Sequence, residues 1–317
     1  MSSYSLQKNA ANPSRRFNRW YHQTLKPSLP LFVLMLPAIL YTALFCYVPM
    51  YGVQIAFRNF TPAGGITGSK WVGLKHFIRF FESPQFTTLV KNTLSINLLT
   101  LLLFPVPIIL ALMINYCVSK RYAKVLQMVT YVPHFISVVI IVAMLNVFFS
   151  ESIGVVNVIA KAMGNEVTPY LSEPSYFKYL FSLSGMWQTM GWSSILYIGA
   201  LAGVSPELHE AAIVDGASKW KRIWNVDLPS ILPTIVIMLV MSFGQIMSLG
   251  FQKVYLMQNA INLSASEVIS TYVYKAGMIQ NNFSYSTAVD LFNTMVNIIM
   301  LVTANYVVKR FTKYSLF

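Results

Sequence analysis

Ser205-Pro206-Glu207-Leu208-His209-Glu210-Ala211-Ala212-Ile213-Val214-Asp215-Gly216-Ala217-Ser218-Lys219-Trp220-Lys221-Arg222-Ile223-Trp224-Asn225-Val226-Asp227-Leu228-Pro229 separates two long apolar runs, residues 177–204 and 230–250. Its opening has the order of a helix start: the Ser205 hydroxyl as cap, Pro206 in the first turn, and Glu207 near the positive end of the helix dipole. Ala211, Ala212 and Ala217 favour helix and are small enough to let it lie close against another surface. Gly216 permits the left-handed residue that ends one helix and turns the chain. A second short helix with Trp220, Ile223 and Trp224 then leads to Pro229, which opens the next apolar run. The stretch predicts a helix–turn–helix elbow at the membrane edge, presenting small and aromatic residues to another protein.

Composition supplies the membrane. Of the 317 residues, 56% are hydrophobic and 10% charged, where a soluble domain carries about 25% charged residues. A bilayer-spanning helix needs about 20 mainly apolar residues, and six runs qualify: 29–57, 88–116, 125–149, 177–204, 230–250 and 287–308. They lack the polar/apolar alternation of a barrel, and open strands cannot satisfy their backbone in lipid, so the runs are helices. The expected organisation is all-α: a segment 1–28, a six-helix membrane domain 29–308 with the elbow at 205–228, and a tail 309–317.

Charge sets the orientation. Net charge is +13, and 14 of the 23 basic residues fall on one side of the runs: Lys8, Arg15, Arg16, Arg19 and Lys26; Lys120, Arg121 and Lys124; Lys219, Lys221 and Arg222; Lys309, Arg310 and Lys313. The positive-inside rule makes that side, with both termini and the elbow, cytoplasmic. Bases placed beside apolar runs set membrane orientation and argue against nucleic acid as the partner. The first run ends in no small-residue cleavage pattern, so it reads as a retained span. Cys46 and Cys117 read as small apolar packing residues, and no Cys/His cluster suggests a metal. Pro37, Pro49, Pro105, Pro107, Pro133 and Pro233 shape the spans or hinge them.

No paired carboxylates, His-Glu-x-x-His, Gly-x-Ser-x-Gly or phosphate-binding loop occurs, so no catalytic residue is assigned and the chain is not expected to be an enzyme. The elbow resembles the EAA loop of binding-protein-dependent ABC importer permeases: Glu210-Ala211-Ala212, three residues, Gly216, nine residues, an aliphatic at Val226, one residue, then Leu228-Pro229. Val226 stands where that family usually has Ile. Trp71-Val72-Gly73-Leu74-Lys75-His76-Phe77, Lys91-Asn92-Thr93-Leu94, Phe104-Pro105-Val106-Pro107-Ile108, Tyr131-Val132-Pro133-His134-Phe135 and Thr271-Tyr272-Val273-Tyr274 resemble its carbohydrate branch. The resemblance implies a type I ABC importer permease fold in a bacterial cell membrane, taking up oligosaccharides or polysaccharide fragments. It implies a second homologous permease, an extracellular solute-binding lipoprotein, and two ATPase subunits that hold ATP and Mg while this chain holds no cofactor. Glu210, Ala211, Ala212, Asp215, Gly216, Ala217, Leu228 and Pro229 would couple to the ATPase. The alternatives are an ABC permease for a non-sugar solute and an ion-coupled secondary transporter, though ion-coupling groups are sparse in the spans.

Sugars are held by aromatic faces and hydrogen-bonding side chains in a cavity. The runs flanking the elbow offer Trp187, Gln188 and Trp192, and Ser242, Gln245 and Leu249, the latter three on one helical face at i, i+3 and i+7. The competing roles are interfacial anchoring for Trp and helix packing for Gln and Ser. Asn293 and Asn297 are weaker candidates. His134 reads as packing, and Asp290 as solvated or interhelical.

Overall fold

A computed structural model describes residues 26–312; Lys8, Arg15, Arg16, Arg19 and Lys313 lie outside them. The chain divides into two compact units, Met1–Gln54 and Ile55–Phe317. In the first, helix α1 (Lys26–Thr42) is apolar all round and passes into a π turn, Ala43–Tyr47. A helix with no polar face belongs in lipid or a core.

The second unit opens with a small hairpin, β1 (Arg58–Thr61) against β2 (Ser69–Trp71), Arg58 opposite Trp71. The helices that follow are α2 (Lys75–Phe81), α3 (Gln85–Leu102), α4 (Pro105–Asn115), α5 (Lys120–Tyr131), α6 (Val138–Phe148), α7 (Val155–Ala162) and α8 (Pro174–Ala202). After them come α9 (Pro206–Val214), α10 (Lys219–Arg222), α11 (Leu228–Phe243), α12 (Phe251–Met257), α13 (Leu263–Ser266), α14 (Ile269–Tyr274) and α15 (Phe283–Phe311).

Among the described residues four helical runs are long and apolar enough to cross a bilayer: Ser28–Phe57, Gln85–Asn115, Lys219–Phe243 and Phe283–Phe311. A fifth exists if the bent pair Lys120–Phe135 and Val138–Phe148 is one span. The expected run 177–204 is present as α8, whose 29 residues reach about 43 Å at 1.5 Å per residue. It falls short in hydropathy rather than length, because Ser, Thr, Gln and Trp side chains are spread along it.

The single helix expected over 125–149 is broken, with a 101° bend between its halves. Pro133 sits in a 3-10 turn, Val132–Phe135, and cannot donate a backbone hydrogen bond. Ile136 is extended, and Ser137 starts α6 afresh by accepting from Ile140 N at 3.4 Å. Lipid offers no partner for the carbonyl so freed, and Gln188 supplies one, its Nε2 donating to Ile136 O at 2.9 Å.

α8 is the central post, touching α3, α4, α5, α11 and α13. At the elbow end it packs through Tyr197 and Leu201 against Ile108, Ala111 and Ile231. At the other end Phe177 and Phe181 join Ile96, Val142, Leu249 and Val254. A third cluster there closes Phe80, Leu89, Ile269 and Tyr285 over α15. Connections at this end are tied down by buried amides. Asn92 Nδ2 donates to Ser264 O and Glu267 O, and Asn262 Nδ2 to Leu171 O and Met257 O.

α5 crosses α8 at Gly191, where an added Cβ would lie 2.1 Å from Thr130 O. Backbone cannot yield as a flexible side chain would. Gly191→Ala is therefore expected to cost about 1–3 kcal/mol or more through overpacking, seen as a lower unfolding midpoint of the detergent-solubilised protein. Gly199→Ala, where a Cβ meets nothing within 4 Å, should leave the midpoint unchanged or slightly raised.

Candidate functional site

The elbow forms as its local chemistry dictates. Ser205 Oγ accepts from Glu207 N at 3.3 Å and starts α9. The helix ends in a Schellman motif: Ala217 N donates to Ala212 O at 2.8 Å, and Gly216 N to Ile213 O at 3.0 Å. Gly216 has φ +73°, a conformation that strains any residue bearing a Cβ. Ser218 then caps α10, accepting from Lys221 N at 3.4 Å. α10 runs through a π turn, Ile223–Asp227, into α11.

None of the residues of α9 or α10 is buried. Glu210, Ala211, Asp215, Gly216 and Pro229 are exposed, and Ala212, Ala217 and Leu228 half-buried. Apolar side chains stand out beside them, Val214 at 87% exposure and Trp220 at 73%, with Leu208, Ile213 and Trp224. A polar loop has no reason to present that much apolar surface unless something covers it.

One residue of this region is fully buried, the acid Asp227. Tyr116, just after α4, donates its hydroxyl to Asp227 Oδ2 at 2.5 Å. His209 of α9 brings Nε2 within 3.3 Å of Oδ1, a contact not aligned as a hydrogen bond. The Arg222 guanidinium lies 5.6 Å over the Tyr116 ring. The elbow is thereby riveted to α4 at its root while its tip stays free. The spacing of the loop does not single out Tyr116, His209 or Asp227. The available signal was an acid placed where an apolar run begins.

Further along α11 a cavity of about 530 Å³ opens between α3, α4, α8 and the segment 244–250. Its polar lining is Asn97, Thr100, Thr189, Ser193, Ser242, Gln245, Ser248 and the Tyr197 side chain, with Phe104, Phe181, Met186, Met238 and Leu249 as apolar wall. Ser242, Gln245 and Leu249 are thus brought together. Trp187, Gln188 and Trp192 lie elsewhere on α8: Gln188 binds the bend at Ile136, and Trp192 stacks on His134 with ring centroids 4.5 Å apart. Thr189, Ser193 and Tyr197, at intervals of four, form the face of α8 toward the cavity. Helix α11 stops at Phe243, and the irregular backbone beyond it is held from α15: Asn297 Oδ1 accepts from Met247 N at 2.9 Å and Asn297 Nδ2 donates to Ser248 Oγ at 2.8 Å. The lining offers hydrogen-bond donors and acceptors but no Asp, Glu, Lys, Arg or His. It suits a polyhydroxylated solute, and no cluster of three or more metal-ligating side chains occurs among the described residues.

Comparison with known proteins gives the family and the fold. Residues 86–315 match the family of binding-protein-dependent transport system inner membrane components. The protein LplB of Bacillus subtilis (strain 168) is 42% identical over 294 residues, covering 92% of each chain. The polygalacturonan/rhamnogalacturonan transport system permease protein YteP of the same organism is 42% identical over 288 residues, covering 90% of each. Among solved structures, a bacterial alginate ABC transporter in complex with an alginate pentasaccharide-bound periplasmic protein has a chain 36% identical, with a TM-score of 0.85 over 94% of this chain and 100% of that one. A helical bundle with this likeness and an elbow of this spacing makes the chain a member of the binding-protein-dependent transport system inner membrane component family, with the fold of type I ABC importer permeases.

Proposed function

We propose that this chain is one of two permease halves of an ATP-driven importer for oligosaccharides or polysaccharide fragments. The observation that carries the reading is the elbow: an exposed, apolar-studded hinge anchored at its root in the bundle by Asp227. Relatives transport polygalacturonan, rhamnogalacturonan and alginate, which supports a carbohydrate substrate here. On this reading the chain crosses a bacterial cytoplasmic membrane six times with both termini inside, the bent pair α5–α6 and the polar α8 counting as one span each. Two ATPase subunits hold ATP and Mg and grip α9, while an extracellular lipoprotein delivers the sugar. The second permease completes the cavity, and this chain hydrolyses nothing.

The geometry supports a mechanism for this reading. Closure of the ATPases on ATP moves α9. The Asp227 junction makes α4 and α11 move with it, and α11 carries Ser242 at the cavity. Receptor docking and ATPase closure must then favour the same state, because coupling between two sites is reciprocal. Glu210, Ala211, Ala212, Asp215, Gly216 and Ala217 form the docking face. Leu228 and Pro229 join it to α11. Ser242, Gln245 and Leu249 form this chain's share of the sugar path, and Trp187, Gln188 and Trp192 belong to the flank of α8 that lies beside it.

Gly216→Asp adds backbone strain of about 1 kcal/mol or more at a positive φ and puts a side chain on the docking face. With Glu210→Lys, it should leave the protein in the membrane at normal amounts and abolish ATP-dependent uptake in proteoliposomes holding all subunits. Normal uptake in both variants refutes the coupling role.

Tyr116→Phe removes a charge-assisted hydrogen bond worth about 1.5–3 kcal/mol from a buried carboxylate. The expected result is an assembled complex that still hydrolyses ATP but transports less sugar per ATP, measured as the ratio of the two rates. An unchanged ratio means that the junction does not transmit motion.

A further inference from the structure

The cavity wall is neutral, but a cation stands directly behind it. Lys253 on α12 is only 7% exposed. Its Nζ donates to Phe181 O at 3.0 Å and lies 4.9 Å from the centre of the Phe181 ring, a ring that lines the cavity. Phe181, Gly185, Thr189 and Ser193 follow one another at intervals of four along α8, so they share one face. Three of the four line the cavity; the other, Gly185, has no side chain. A Cβ built there would stand 3.3 Å from Lys253 Nζ. The ammonium therefore occupies the notch that Gly185 leaves in the cavity-facing row.

Nothing in the described part of the chain neutralises it. The acid–base side-chain contacts within 4 Å among the described residues are His209–Asp227 and Lys275–Glu267, and Lys253 is in neither. Burial draws the Lys253 amine down to about 8, so it remains protonated at neutral pH. A carbonyl and an aromatic face compensate such a charge only in part, and a buried cation lacking an anion is costly. An ionisable group kept buried at such cost is a functional-site candidate, and contact with a charged substrate is one of the roles that repays it.

We propose that Lys253 is the charge-recognition site of the translocation path, and that the path takes an anionic oligosaccharide whose carboxylate meets the ammonium at the Gly185 notch. Thr100, Thr189, Ser193, Ser242 and Gln245 would receive the hydroxyls. The inference rests on the importer reading above and narrows its substrate class. A carboxylate can also come from the second permease, so the experiment separates the two sources.

The complete transporter is reconstituted in proteoliposomes. Receptor is loaded in turn with an oligouronate and with its methyl-esterified, neutral counterpart of the same length, and uptake is followed for wild type, Lys253→Met and Lys253→Arg. The expected result is faster uptake of the oligouronate by wild type. Lys253→Met should lower that rate about tenfold, the weight of one charge-assisted hydrogen bond, while leaving the neutral sugar unaffected, and Lys253→Arg should restore the preference. Equal handling of both sugars by wild type overturns the proposal. So does a Lys253→Met complex that slows both sugars alike or fails to assemble, since that assigns the lysine to a subunit carboxylate. Absence of ATP-driven uptake of either sugar by wild type is a different failure, that of the importer reading itself.

Discussion

A carboxylate withdrawn from water must be met by donors or charge, because leaving it alone costs several kcal/mol (about 3–5 when a buried pair is broken). Asp227, fully buried at the foot of α11, imposes that condition. Its partners come from the end of the α3–α4 pair and from α9, so three separate parts of the chain must converge on one side chain. The convergence decides where the elbow hangs, and the elbow's own capping decides its shape. The cavity lies further up the same helix, so its geometry is tied to the same point.

α11 makes the tie mechanical. From Leu228 to Phe243 it spans 16 residues, about 24 Å at 1.5 Å per residue. On the proposed reading a displacement at the junction would pass along this helix, Pro233 included, to Ser242 at the cavity. Beyond Phe243 the backbone is irregular and pinned by Asn297 of α15. The helix thus ends in a segment clamped to α15, the place where such a displacement would change the cavity's shape.

What could be read from the residues alone was whatever local chemistry decides. The spans follow from composition because lipid accepts only a self-satisfied backbone. The elbow follows from Ser205, Pro206, Gly216 and Ser218, each acting within a few residues of itself. The break after Pro133 was not legible as a break, since proline can bend a helix or end it, and the side chain that satisfies Ile136 O at the break, Gln188, lies far along the chain. The Asp227 junction was hidden for the same reason, its tyrosine being 111 residues away. Ser242, Gln245 and Leu249 do meet at the cavity, but not as the helical face that the i, i+3, i+7 spacing implied: α11 ends at Phe243, and Gln245 and Leu249 reach the cavity from the irregular segment beyond it. On α8 the large aromatics drew attention by their chemistry, while the rotation of the helix is set by Gly191 against Thr130 and by the His134–Trp192 stack, contacts that no local pattern encodes.

The polar row of Thr189, Ser193 and Tyr197 has a consequence for biogenesis. If the chain is one of two permease halves, as proposed, a copy without its mate leaves these hydroxyls facing acyl chains or stray water. Such a copy would be held in an unfavourable environment and stand exposed to membrane quality-control proteases. Matched synthesis of the two halves would then become a condition for the survival of either.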